Sequence, residues 1–164
     1  VQKLAQERPG YTILLIGADY DGTVDRYDWR SFPNISILSP VEYQKLPEYA
    51  IFFDVATIPF LKNEITESTS PIKLFEYMAM GHPIVTTDLH ECRKYPPVLI
   101  GKNDQDFIAK VDLALEKRHD PDYLADLDQV ARDNTWEKKV QSLVSLISPR
   151  MFPEQRAQAS VKAS

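Results

Sequence analysis

The chain is poor in glycine, with five in 164 residues, and no glycine-rich loop follows its first apolar run. The residues there are Gly17-Ala18-Asp19-Tyr20-Asp21-Gly22. They do not fit the G-x-G-x-x-G pattern that lets a backbone close on a dinucleotide pyrophosphate, so a nicotinamide-binding Rossmann domain is excluded. Cysteine is scarcer still: Cys92 stands alone. No disulfide can form within the chain, which fits a reducing compartment, the cytoplasm. His82, His90 and His119 lack zinc-ligand spacing, and neither a metal nor a resident cofactor is expected. There is no basic excess, since 19 Lys and Arg face 24 Asp and Glu for a net charge of -5. A nucleic-acid surface, which needs a basic stripe, is not expected. No apolar run approaches the roughly 18 residues of a membrane-spanning helix. The chain opens on Val1 without a basic, apolar leader, and the expectation is a fragment of a longer protein.

What is present is a 43% hydrophobic chain of one-domain size. Short β-branched runs recur: Thr12–Gly17, Ile35–Leu38, Asp54–Pro59, Pro83–Thr87 and Val98–Gly101. Such runs read as strands covered on both faces, hence a parallel sheet. Helical patterns separate them: Val1–Glu7, Glu42–Phe53 with Pro47 breaking its first turn, Pro71–Met80, Asp106–Arg118, Pro121–Arg132 and Trp136–Ile147. Asp120 and Thr135 are placed to cap the last two. Ala18 to Asn34 holds room for a short helix only. The alternation predicts an α/β class fold, a Rossmann-like doubly wound parallel sheet, over residues 1–149. Residues 150–164 form a polar tail, expected to be disordered or to pack on a domain outside the chain.

The stretch from Asn63 to Asp88 carries the chemistry. Ser70 reads as an N-cap, Pro71 as the first helical residue, Gly81 as a left-handed cap, and Pro83 as a stop. The helix should start where the chain leaves the carboxyl end of a strand, the edge where open α/β sheets bind ligands. Free amides at Ile72 and Lys73 would then offer a phosphate site on the positive end of the helix dipole. Lys73 and Glu76 share a helix face one turn apart, about 5.4 Å, on the scale of the step from a diphosphate to its ribose. A lysine could neutralise phosphate charge, and a carboxylate could accept from both ribose hydroxyls. In isolation such a pair is more often a solvated surface pair.

The segment SPIKLFEYMAMGHPIVTTD resembles the donor-site signature of the GT-B glycosyltransferases, especially the family called group 1. TILLIG, the run from Ser31 to Phe60, and ARDNTWEKKVQSLVSLI are similar to other parts of that family in the same order, so the likeness spans roughly Thr12 to Ile147. The resemblance implies the C-terminal, donor-binding half of a GT-B fold. In that setting Glu76 binds the donor ribose and Lys73 lies near the diphosphate. The backbone of Ser70, Pro71, Ile72 and Lys73 lines the phosphates and sugar. Ser39, Pro40 and Val41, with Tyr43 nearby, surround the base, and Gly17 ends the first strand at the cleft. The partners implied are a UDP- or GDP-type sugar donor and an N-terminal acceptor-binding domain outside this chain. Peripheral membrane contact at the inner face would come through that second domain. Lys73 and Glu76 are the candidate catalytic residues, in a bacterial cell-surface polysaccharide pathway, and the chain alone is expected to bind donor without transferring sugar. The sequence departs from the family pattern at Ser68, where a glutamate is usual and Glu67 lies one place off. It departs again at Ala18-Asp19, where a second glycine is common, and in lacking an Arg and Lys pair after the first strand, where Arg26 and Arg30 are the nearest substitutes.

Other residues read more plainly. Trp136 is expected in the core, Cys92 as inert, His82 as a loop residue, and His90 with Glu91 as a secondary site at the ligand edge. A nucleotide-sugar epimerase on the same architecture is the first alternative. A non-catalytic receiver-like or flavodoxin-like module is the second. Asp19 and Asp21 could mimic a receiver's acidic pair, but the third strand ends in Pro59 and Phe60 and not in the aspartate a receiver needs.

Overall fold

The computed structural model describes residues 1–151, with side chains through 147. Among these residues five strands, parallel in every pairing they make, carry the fold: β1 (Ile13–Ile16), β2 (Ile35–Leu38), β3 (Ala56–Ile58), β4 (Ile84–Thr87) and β5 (Leu99–Gly101). The described residues also form the α-helices α1 (Gln2–Glu7), α2 (Thr23–Arg26), α3 (Leu46–Ala50), α4 (Glu64–Glu67), α5 (Ile72–Ala79), α6 (Asp104–Lys117), α7 (Pro121–Asp133) and α8 (Trp136–Met151). Each strand lies within its expected run. The chain between β1 and β2 holds only the four-residue α2 and one 3-10 turn, Trp29–Ser31.

β4 shows why the apolar runs do not alternate with polar residues. Ile84 and Val85 are both fully buried but belong to different cores. Ile84 packs with Ile58, Leu74, Met78 and Leu127, under α5 and α7. Val85 packs with Leu4, Phe107, Ile108 and Val111, under α1 and α6. A strand covered on both faces must be apolar at consecutive positions. Gly101 admits α6 at close range: a Cβ there would lie 2.6 Å from the Cα and Cβ of Phe107. Asp112 on α6 accepts from Arg8 Nε at 2.9 Å and from Tyr11 Oη at 2.8 Å, which ties the segment after α1 to the same layer.

The sheet is divided. Among the described residues, β1 pairs only with β2, and β3, β4 and β5 pair in that order. A cavity of about 510 Å³ is lined by Ile13, Leu14 and Leu15 of β1 and by Val55, Ala56 and Thr57 in and before β3. The chain runs from β1 outward to β2 and then returns to β3 on the other side of β1. This cavity therefore lies at the topological switch point, the place where doubly wound sheets bind ligands.

Three local expectations need correction. The helix expected over Glu42–Phe53 is a 3-10 turn, Tyr43–Lys45, followed by the one-turn α3 with Pro47 in its first turn. Pro71 takes the N-cap position of α5 in an extended conformation, φ -71° and ψ 114°, so Ser70 lies one residue too early to cap and no side chain does so. Trp136 is 69% exposed and not in the core. It begins a stripe with Val140, Leu143, Val144 and Ile147 on α8, all exposed. The spacing is that of an amphipathic helix, but among the described residues nothing covers its apolar face. α8 runs to Met151, and the tail beyond it lies outside the described residues.

Asp120 caps α7 as expected, accepting from the amides of Asp122 and Tyr123, and Thr135 Oγ1 accepts from the Lys138 amide. Gly81 has φ +73°. Its amide bonds to Met78 O at 2.9 Å and that of His82 to Tyr77 O at 3.0 Å, the paired bonds of a Schellman ending that only a left-handed residue closes without strain.

Candidate functional site

α5 starts where the expectation placed it, at the carboxyl edge of the strands. β3 ends at Ile58, and the chain passes Phe60 and the short α4 before turning into α5. Asn63 and Thr66 close a reciprocal capping box around α4, with both bonds at 2.9 Å. Thr87 Oγ1, at the end of β4, donates to Phe60 O at 2.7 Å and fixes the exit of β3. The amides of Ile72 and Lys73, in the first turn of α5, have no intrahelical acceptor and no side-chain cap.

A cleft of about 920 Å³ opens beside that turn. Leu14 and Ile16 of β1 form its base. Tyr43, Gln44, Leu46, Pro47, Ala50 and Phe53 make one wall. Phe60, Thr69, Ser70, Pro71, Ile72, Lys73, Glu76, Tyr77 and Met80 make the other. The cleft and the cavity lined by β1 and β3 share Leu14, Phe53 and Tyr77, so both open on the switch point. Its volume suits a ligand of nucleotide-sugar size.

The structure thus brings together Tyr43, Ser70, Pro71, Ile72, Lys73 and Glu76. It does not bring Gly17, Ser39 and Val41 to the cleft lining. Gly17 follows β1 at φ +149°, and Ser39 and Val41 follow β2. Lys73 and Glu76 do not lean on each other as a solvated pair would. Lys73 Nζ sits 5.2 Å from the centre of the Phe60 ring. Glu76, half-buried, accepts from Tyr43 Oη at 2.5 Å. That bond, and the negative charge behind it, push the Tyr43 phenol above its ordinary pKa, so it stays a donor.

Residues unmarked in the sequence also stand at this edge. Asp88, just after β4, accepts from Arg93 Nε at 2.6 Å and from Lys62 Nζ at 3.3 Å, and Lys62 also reaches Glu67 at 3.1 Å. Arg93 and Lys62 hold the Asp88 carboxyl below the usual range. This chain of four charges joins the segments after β3 and β4. Glu67, nearest to the departure noted at Ser68, belongs to it. Phe60 could have been found in the sequence, since it directly follows a strand at its ligand-facing end. The charge chain could not, because its members come from separate loops. The secondary site expected at His90 and Glu91 divides: His90 is exposed, whereas Glu91 accepts from Lys94 and from Tyr95 Oη. Cys92 is buried, and burial pushes its thiol up, away from reactivity.

His82 is not the loop residue expected. It is 7% exposed, with its ring 6.1 Å from Phe53, and its Nε2 has no partner among the described residues. Burial lowers its pKa, with the carbonyls of Ala50 and Phe53 and the charge of Asp54 acting against that. A depressed value means that the unfolded chain takes a proton before the folded one does. Stability is therefore full above the unfolded value, about 6.5, and falls as pH drops through the window below it. The slope is at most about 1.4 kcal/mol per pH unit for one proton. Urea midpoints measured between pH 7.5 and 5.5 should fall, and His82→Gln should flatten that part of the curve. Asp88 and Asp112, both depressed by cationic partners, lose their contributions only below about pH 4.

The family model for Glycosyl transferases group 1 matches residues 1–117, which include both walls of the cleft and the whole of α5. The chain belongs to the group 1 glycosyl transferases. A protein of Bacillus subtilis (strain 168), TuaH, whose name assigns it to teichuronic acid biosynthesis as a glycosyltransferase, is 27% identical over 142 residues. The match takes in 83% of this chain and 36% of that relative, so the chain spans about a third of the relative's length. The group 1 membership and the parallel α/β fold agree with the resemblance carried by the Pro71–Pro83 segment.

Proposed function

We propose that this chain forms the donor side of a sugar-transferring enzyme and holds a nucleoside-diphosphate sugar in the cleft beside α5. The observation that carries this reading is the order of groups along one wall. Two first-turn amides without a partner among the described residues come first, then the Lys73 side chain, then Glu76 one turn further along the same helix. The diphosphate lies against the amides and Lys73, and the pentose meets Glu76.

In transfer, the bond between the anomeric carbon and the diphosphate oxygen breaks, and a bond to an acceptor hydroxyl oxygen forms. The acceptor loses its proton to a base, and negative charge grows on the departing diphosphate. Donors already aimed at that charge lower the barrier without rearranging during the reaction. The acceptor side, with its base, belongs to a further domain outside this chain, and the chain alone binds donor without transferring it. The bacterial relative's name, which assigns that protein to teichuronic acid biosynthesis, supports a role in polysaccharide synthesis.

Calorimetric titration with UDP and GDP tests the binding reading. One of them should bind saturably, and Glu76→Ala should weaken it about tenfold or more, the cost of losing hydrogen bonds to a charged group. A folded protein that binds neither nucleotide overturns it.

A further inference from the structure

Tyr43 belongs to the 3-10 turn after β2, whereas Glu76 belongs to the helix that follows β3. The two stand 33 positions apart in sequence and on opposite sides of the switch point, yet the phenol donates directly to Glu76 Oε1. Among the described residues, no backbone hydrogen bond joins the two half-sheets that these elements follow. The phenol–carboxylate bond is thus a side-chain bridge across the cleft, and it ends on the carboxylate assigned to the pentose.

We propose that Tyr43 sets the preference of this cleft for ribose over deoxyribose, by holding the Glu76 carboxylate in one orientation rather than by contacting the base. The inference rests on the reading of Glu76 as the ribose ligand. A carboxylate on a free side chain turns about its last torsion, and a pair of ribose hydroxyls then has no fixed acceptor. With Oε1 held by the phenol, the plane of the group is set. Oε2 and the remaining lone pairs stay available to the two hydroxyls. The pentose therefore meets an oriented acceptor, and removing one hydroxyl from the sugar forfeits a hydrogen bond to a charge. Tyr43 is 66% exposed, so its ring contributes little to the core and its substitution leaves the fold intact.

The test compares the intact protein with its Tyr43→Phe variant, titrated with UDP, GDP and their 2′-deoxy counterparts. The unaltered protein should prefer the ribonucleotide about tenfold, the worth of one charge-assisted hydrogen bond. In the variant that ratio should fall toward one, while inorganic pyrophosphate binds both proteins equally. Phenylalanine keeps the ring, so a packing or stacking role for Tyr43 would leave the ratio as it was. A ratio that persists or grows in the variant overturns the role given to Tyr43. If the unaltered protein binds no nucleotide, or does not distinguish ribose from deoxyribose, the reading of Glu76 fails instead.

Discussion

Replacing Lys73 by alanine is expected to slow sugar transfer by the intact enzyme about a hundredfold or more while leaving the fold unchanged. Lys73 is exposed on the first turn of α5, and its ammonium lies over the Phe60 ring at the carboxyl end of β3. It contributes to no core cluster. Its proposed work is electrostatic: a positive charge beside two amides without a partner among the described residues, where charge accumulates as the diphosphate leaves. Removing one preorganised donor of this kind costs roughly 10²–10³ in rate. A second measurement separates Lys73 from Glu76. Lys73→Ala should weaken UDP and leave uridine binding unchanged, because uridine carries no phosphate. Glu76→Ala should weaken both. If Lys73→Ala weakened uridine as much as UDP, the ammonium would not be reading phosphate, and the assigned order of groups along α5 would be wrong.

The Lys73–Glu76 spacing was legible because both residues sit on one short helix with strong local punctuation. The cap at Gly81 and the stop at Pro83 follow from backbone chemistry that acts within a few residues. The strand runs were legible for a related reason. A strand buried on both faces must be continuously apolar, as Ile84 and Val85 are, and few loops have that composition. The cap of α5 was misplaced by one position because Pro71 satisfies two roles. It can open a helix or stand just before one in an extended conformation, and composition alone does not choose between them.

What escaped the sequence depends on distant partners. The division between β1 and β3 concerns which edges pair, and a four-residue apolar run carries no record of its neighbour. The bridge from Tyr43 to Glu76 and the charge chain of Lys62, Glu67, Asp88 and Arg93 join loops that meet only after the strands align. His82 looked like a linker residue, yet the Schellman turn at Gly81 directs the chain so that its ring packs near Phe53. Trp136 failed in the opposite direction. The stripe it begins has the period of a buried helix face, but periodicity states only that a face is apolar, not that something lies against it.

Leu74→Ala is expected to destabilise the folded protein by about 2–5 kcal/mol, the range for truncating a fully enclosed leucine. Leu74 is 0% exposed and packs in the cluster that includes Ile58, Met78, Ile84 and Leu127. It therefore pins the candidate site's helix to β3, β4 and α7 at once. Against a total stability of about 5–15 kcal/mol, such a loss is large. Leu74 nevertheless lies on the buried side of α5, while Lys73 and Glu76 line the cleft. The molecules that remain folded should still bind nucleotide with nearly unaltered affinity. Urea unfolding with and without saturating UDP or GDP checks both statements. The ligand should add about 2.7 kcal/mol at a hundredfold excess over Kd in either protein, although the variant starts from a lower value. If the variant lost the ligand's contribution altogether, Leu74 would be setting the geometry of the binding turn as well as its stability. The first turn of α5 would then be held in place by its core contact, and not by the capping box of α4 and the Thr87 bond that precede it.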